Sequence, residues 1–240
     1  MIRKQPNLKR PLVLETVGWL KARNSPEKGK TKWRAPTVYL LKSQFQAGLT
    51  PLVRAVGKSG ITANQVTLMA SGLSLVFGII LAWQGTPSRL LLSLPLVLFV
   101  RMALNAMDGM LARDYGQASR LGVYLNELGD VVSDVFLYSP FALLPALSAR
   151  WMAASILLAV LSEMAGVMAA IVGASRRYDG PMGKSDRALV FGALGLWLGL
   201  GGKLAPWVAY WFPPLLCVLL VATLVNRVRN GLNEKEIVHG

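Results

Sequence analysis

The chain has 240 residues, 53% hydrophobic and only 16% charged, with a mean hydropathy of +0.45 and a formal net charge of +14. A soluble domain would carry about 25% charged residues, so the low charge and long apolar runs place the chain in a membrane. The single cysteine, Cys217, allows neither an intramolecular disulfide nor a cysteine-based zinc centre, and the only histidine, His239, is too near the C-terminus to serve a buried site.

In chain order, the first 60 residues hold thirteen Lys or Arg against Glu15 and Glu27. Beside a membrane domain, such an arm is expected to meet anionic lipid headgroups rather than nucleic acid. No apolar core follows the early basic residues, so a signal peptide is not expected. The arm ends in "TVYLLKSQFQAGLTPLVRAVGK", with apolar residues at Val38, Leu41, Phe45, Leu49 and Leu52. That spacing predicts an amphipathic helix lying in the cytoplasmic interface and broken near Pro51.

Six apolar segments follow, at about residues 67–83, 90–110, 121–147, 151–173, 189–200 and 206–225. The expected fold is an all-α integral membrane protein of six transmembrane helices. Its domains are a basic arm over residues 1–59, a membrane domain over 60–230 and a tail over 231–240. With the N-terminus in the cytoplasm, 22 basic residues fall on the cytoplasmic side and only Arg89, Arg150 and Lys203 on the other. The asymmetry predicts both termini in the cytoplasm.

Polar residues interrupt this pattern at the end of the second segment and the start of the third, in "NAMDGMLARDYGQASRLGVYLNELGD". Asn105, Asp108 and Ala112 share one helix face; Asn126, Asp130 and Asp134 share another on the next helix. Acids at membrane depth are costly and mark working sites. Carboxylate and amide oxygens without His or Cys suit a hard divalent cation, Mg²⁺ or Mn²⁺, and such cations commonly hold phosphates. Gly109 and Ala112 leave room for a ligand close to the helix, and Arg113 offers a forked donor that matches a phosphate. Arg101 and Glu163 each lie near the middle of a span and need partners. The leading expectation is that they pair with each other; the alternative turns Arg101, seven residues before Asp108, toward the polar face.

The same residues resemble the signature of the CDP-alcohol phosphotransferases (CDP-alcohol phosphatidyltransferases), D-x2-D-G-x2-A-R-x8-G-x3-D-x3-D. Asp108, Gly109, Ala112, Arg113, Gly122 and Asp130 stand at the family's spacing, and "ITANQVT", with Asn64 and Thr67, resembles its T-P-N-x-x-T with Ala63 in place of proline. Two positions depart: Asn105 and Asn126 stand where the family has its first and third aspartates. The resemblance implies metal-dependent transfer of a phosphatidyl-type group from a CDP-linked lipid to an alcohol, with release of CMP. Asn105, Asp108, Asn126 and Asp130 would hold the metal, Asp130 would be the base, and Asn64, Thr67, Gly109, Ala112, Arg113 and Gly122 would receive the nucleotide. Two amides for two acids predict weaker or single-metal binding. Asp134, four residues past Asp130, is the better candidate to compensate, because Glu127 is turned about 100° from Asn126. A second basic cluster, Arg176, Arg177, Lys184 and Arg187, is either ordinary cytoplasmic charge or a pocket for a phosphorylated acceptor. The family also implies a homodimer, and the compact chain fits a bacterial inner membrane. Two other classes stand beside the enzyme: a degenerate relative that binds CDP-lipid or partners as a scaffold, and a transporter.

Overall fold

The computed structural model describes residues 36–85 and 89–234, with side chains from residue 44 onward; residues 1–35 of the basic arm and the end of the tail lie outside these residues. Seven α-helices occur among them: α1 (Pro36–Lys58), α2 (Ala63–Gln84), α3 (Leu94–Asp114), α4 (Arg120–Tyr138), α5 (Ala149–Ile171), α6 (Lys184–Gly199) and α7 (Pro206–Asn233). Short 3₁₀ segments, Arg89–Ser93 and Ser139–Leu143, precede α3 and follow α4.

Local chemistry sets several boundaries. Thr62 and Gln65 form a capping box at the start of α2, Thr62 N donating to Gln65 Oε1 at 2.8 Å and Gln65 N to Thr62 Oγ1 at 3.3 Å. Ser119 caps α4 by accepting from Gly122 N at 3.0 Å. The third apolar segment, expected to continue to residue 147, is divided: α4 ends at Tyr138, and Pro140, which has no N–H to donate, sits in the 3₁₀ segment. The expected break at Pro51 does not occur, and α1 runs through it. One lost i→i−4 bond is outweighed there by packing, since Leu49, Val53 and Val56 join Met107, Met110 and Leu111 of α3 in one apolar cluster.

Four of the helices, α2, α3, α5 and α7, are long and apolar enough to cross a membrane. The other two after α1 fall short for different reasons: α4 carries Glu127, Asp130 and Asp134, and α6 has only 16 residues. The chain is an integral membrane protein. Large apolar side chains such as Leu68, Val76 and Ile80 on α2 and Leu215 and Val218 on α7 stay exposed, as lipid-facing residues do. Trp207, Tyr210 and Trp211 at the start of α7 are exposed too, in the manner of an aromatic belt.

Helix crossings are close where glycine permits. A Cβ on Gly78 of α2 would lie 2.1 Å from the Phe136 carbonyl oxygen of α4, and one on Gly129 would lie 2.4 Å from Ser71 Oγ. The apolar core fills one end of the bundle, where Tyr138 stacks on Phe191 with ring centroids 4.2 Å apart and Phe141 packs beside them at 5.1 Å. The opposite end, where α3 finishes and α2 and α4 begin, is polar.

Candidate functional site

At that polar end an open cavity of about 210 Å³ is bounded by the start of α2, the last turns of α3, and the loop and first turns of α4. Asn64, Thr67, Asp108, Gly109, Ala112, Arg113, Gly122 and Asn126 all line it, together with Ala63, Gln117, Ala118, Ser119 and Val123. Thr67 Oγ1 donates to Asp108 Oδ2 at 2.6 Å, so α2 fixes the carboxylate that α3 presents. Gln117 Oε1 accepts from Ala63 N at 2.6 Å and ties the α3–α4 loop to the start of α2. Asn64 Nδ2 reaches Ser119 Oγ at 3.4 Å. A Cβ on Gly122 would stand 2.7 Å from Asn64 Oδ1, which accounts for glycine at that wall. No open space lies beside Gly122 for a side chain; beside Gly109, by contrast, nothing would obstruct a Cβ within 4 Å, and the helix backbone is open to a ligand there. Arg113 is half-exposed at the rim, its Nε donating to Asp114 Oδ1 at 2.8 Å.

Asp130 lies beside this wall, one turn beyond Asn126, and is buried. Its Oδ1 accepts from Asn105 Nδ2 at 2.9 Å and Arg101 Nη2 at 3.3 Å, and its Oδ2 accepts from Lys184 Nζ at the start of α6. One turn deeper, Asp134 has Arg101 Nη1 on Oδ1 at 2.7 Å and Arg187 on Oδ2 through Nη2 at 2.7 Å and Nε at 3.0 Å. Arg187 Nη2 also donates to Glu163 Oε1 at 2.8 Å, and Arg227 of α7 approaches the same oxygen at 3.3 Å. Arg176 donates to Glu127 Oε2 and lies 3.6 Å from Glu163 Oε2, with Tyr178 stacked on its guanidinium at 4.3 Å. A chain of opposite charges thus runs through α3, α4, α5, α6 and α7. Arg187 and Arg227, each 1% exposed, are among its most buried members. Within a bilayer this is how such charges are tolerated: each meets a counter-charge.

The expected pair of Arg101 with Glu163 does not form. Arg101 turns to Asp130 and Asp134, and Glu163 is held by Arg187, Arg227 and Arg176. The expected basic cluster is dispersed. Arg187 is spent on Asp134 and Glu163, and Arg177 pairs with Asp179 and Glu234 at 2.7 and 2.8 Å. Lys184, with 39% of its side chain exposed, and Arg176 remain near the polar end.

Among the described residues no three His, Cys, Asp or Glu side chains are gathered as a metal site. The amides at Asn105 and Asn126 are the reason: the oxygen donors left are the carboxylates of Asp108 and Asp130 and two neutral amide oxygens. With both oxygens of Asp134 held by guanidinium groups, that carboxylate is a partner of Arg101 and Arg187 rather than an open ligand. Carboxylate and amide oxygens are hard donors of the kind a divalent cation takes. Sequence reasoning missed Gln117 and Ser119. The cap signal of Ser119, ahead of an apolar helix start, was available; Gln117 carries no local signal.

Residues 60–225 match the CDP-alcohol phosphatidyltransferase family. The inner membrane protein YnbA of Escherichia coli (strain K12) is 43% identical over 196 residues, covering 82% of this chain and 96% of that protein. The fold is similar, with a TM-score of 0.64 at 20% identity, to the crystal structure of Mycobacterium tuberculosis phosphatidylinositol phosphate synthase (PgsA1) with CDP-DAG bound, covering 80% of this chain and 96% of that one. It is equally similar to the same synthase in complex with manganese and citrate, at the same score and identity and over 80% and 92% of the two chains. With most of its length matched, the chain belongs to the CDP-alcohol phosphatidyltransferases, membrane transferases of phospholipid biosynthesis.

Proposed function

We propose that this enzyme transfers a phosphatidyl-type group from a CDP-linked lipid, such as CDP-diacylglycerol, to an alcohol, releasing CMP at the cytoplasmic face of a bacterial inner membrane. The observation that carries the reading is the convergence of Asn64, Thr67, Asp108, Gly109, Ala112, Arg113, Gly122 and Asn126 on one cavity. In this reading the cytidine enters over Gly109 and Ala112, and Arg113 at the rim takes the diphosphate. Asp108 and the amide oxygen of Asn126, both on the cavity wall, would hold one Mg²⁺ or Mn²⁺, with Asn105 and Asp130 beside them, and the ion would offset the negative charge of the diphosphate. The acceptor hydroxyl attacks the lipid-linked phosphorus, the bond from that phosphorus to the CMP oxygen breaks, and Asp130 receives the hydroxyl proton. Holding donor and acceptor in line supplies much of the acceleration. Lys184, with 39% of its side chain exposed, is the basic residue of this cluster best placed to reach a phosphorylated acceptor. All six helices of residues 60–230 span the bilayer in this reading, α1 lies in the cytoplasmic interface, and the basic arm meets anionic lipid. A pair of chains forms the working unit.

The test is CMP release by purified protein given CDP-diacylglycerol, Mg²⁺ or Mn²⁺ and a pool of alcohols, with Asp130→Asn alongside. Release that needs acceptor and metal, and falls at least 10²-fold in the variant, is expected from loss of a proton acceptor. The second reading, a scaffold that binds CDP-lipid without turnover, is favoured by one observation, the neutral amides at Asn105 and Asn126. Activity that appears only in the Asn105→Asp, Asn126→Asp double variant would select it.

A further inference from the structure

Asp130 and Asp134 stand four residues apart on α4, and Lys184 and Arg187 stand three apart at the start of α6. The two helices meet as a ladder with two rungs, Lys184 on Asp130 and Arg187 on Asp134. The lower rung is rigid. Arg187 is buried between Asp134 and Glu163 and also donates Nη1 to the Met182 carbonyl at 3.1 Å. Asp186 closes the turn before it by accepting from Gly183 N at 2.9 Å. These contacts fix the first turn of α6, and with it the origin of the Lys184 side chain.

The upper rung therefore places an ammonium against Asp130. Arg101 Nη2 and Asn105 Nδ2 occupy the other oxygen of the same carboxylate. Around Asp130 the protein already supplies positive charge and hydrogen-bond donors, and the neighbouring Asn105 and Asn126 bring no negative charge that would call for more. A dication set beside Asp130 in addition to one at Asp108 would meet the Lys184 ammonium at close range with one carboxylate to offset both.

We propose that Lys184 is the built-in cation of the Asp130 half of the site, and that the chain consequently binds a single divalent ion, seated at Asp108. The proposal rests on the transferase reading and deepens it. It makes Lys184 a positioning residue: its charge holds the Asp130 carboxylate in place at the edge of the cavity, in a position a dication could otherwise take. It also explains how two acids can be missing from the donor set while the cavity around Asp108 stays intact.

The experiment counts Mn²⁺ on the full-length protein in detergent, by calorimetry and by electron paramagnetic resonance, with the metal alone as probe. Wild type is expected to bind one ion per chain with the six-line spectrum of isolated Mn²⁺. Asn126→Asp alone should still bind one. Asn126→Asp combined with Lys184→Met should bind two, with the broadened spectrum of a close spin pair, and Lys184→Arg in the same background should return the count to one. Two ions on wild type, or none, would overturn the proposal, as would one ion on the Asn126→Asp, Lys184→Met variant. The wild-type count decides even if a variant does not fold. Because the readout is metal rather than CMP, one bound ion without CMP release would leave this assignment standing and remove the transferase reading.

Discussion

Asp108, Asp130 and Asp134 occupy successive levels of two facing helices and yet have different partners: a threonine hydroxyl, an ammonium, and a pair of guanidinium groups. The partners predict different phenotypes. Asp134→Leu should remove the carboxylate that Arg101 and Arg187 share and leave only Asp130 and Glu163 to balance them, at a cost of up to about 3–5 kcal/mol, read as a large fall in the detergent melting temperature. Asp108→Asn keeps the size and the bond from Thr67, so its melting temperature should stay within a few degrees while CMP release falls. Equal melting temperatures in the two variants would mean that the ion network does not hold the helices together. The family signature pointed to the side chains that line the cavity, and its positions meet there because they sit on neighbouring turns or next to one loop. They did not reveal the role of Asp134. On its own helix it shares the face of Asn126 and Asp130 and so looks like a ligand, and only the arrival of Arg101 from α3 and Arg187 from α6 reassigns it. Pairing Arg101 with Glu163 failed for the same reason: sequence gives the depth of a charge, not which of several helices it turns toward.

For the helices themselves, what was readable depended on whether the cause was local. The capping box at Thr62 and the apolar runs lie in the sequence at the place where they act. The end of α4 is local too, since Pro140 marks it, but the apolar run continues past it and hides the change. Pro51 is the opposite case, a local breaker overridden by the contacts of Leu49, Val53 and Val56 with α3. Close crossings are not legible at all, because the partner of a glycine is remote. Gly78→Ala tests that level. Alanine should gain about 1 kcal/mol of helix propensity, but its Cβ would meet the Phe136 carbonyl at 2.1 Å, and overpacking costs about 1–3 kcal/mol. A lower melting temperature is expected for Gly78→Ala and an unchanged or higher one for Gly72→Ala, where nothing stands within 4 Å. The reverse order would show that α2 and α4 are loosely packed.

At the scale of the whole molecule, the basic residues predict the orientation and the lone Cys217 makes it measurable. In a Cys217→Ser background, a membrane-impermeant maleimide should label Ser148→Cys in intact spheroplasts and Val172→Cys only after the inner membrane is opened. Labelling in the opposite order would invert the topology and place the cavity outside the cytoplasm. The network of opposite charges has a further consequence, in the making of the protein rather than its working. A ribosome delivers α3 and α4 long before α6 and α7. Asp130 and Asp134 both have Arg101 of α3 as an early partner, so pairing of these two helices offsets part of the charge on α4 before Lys184 and Arg187 are made. Glu163 has no such early companion, since Arg176, Arg187 and Arg227 are all synthesised after it. A chain that stops after α5 therefore carries an acid at membrane depth whose counter-ions were never made.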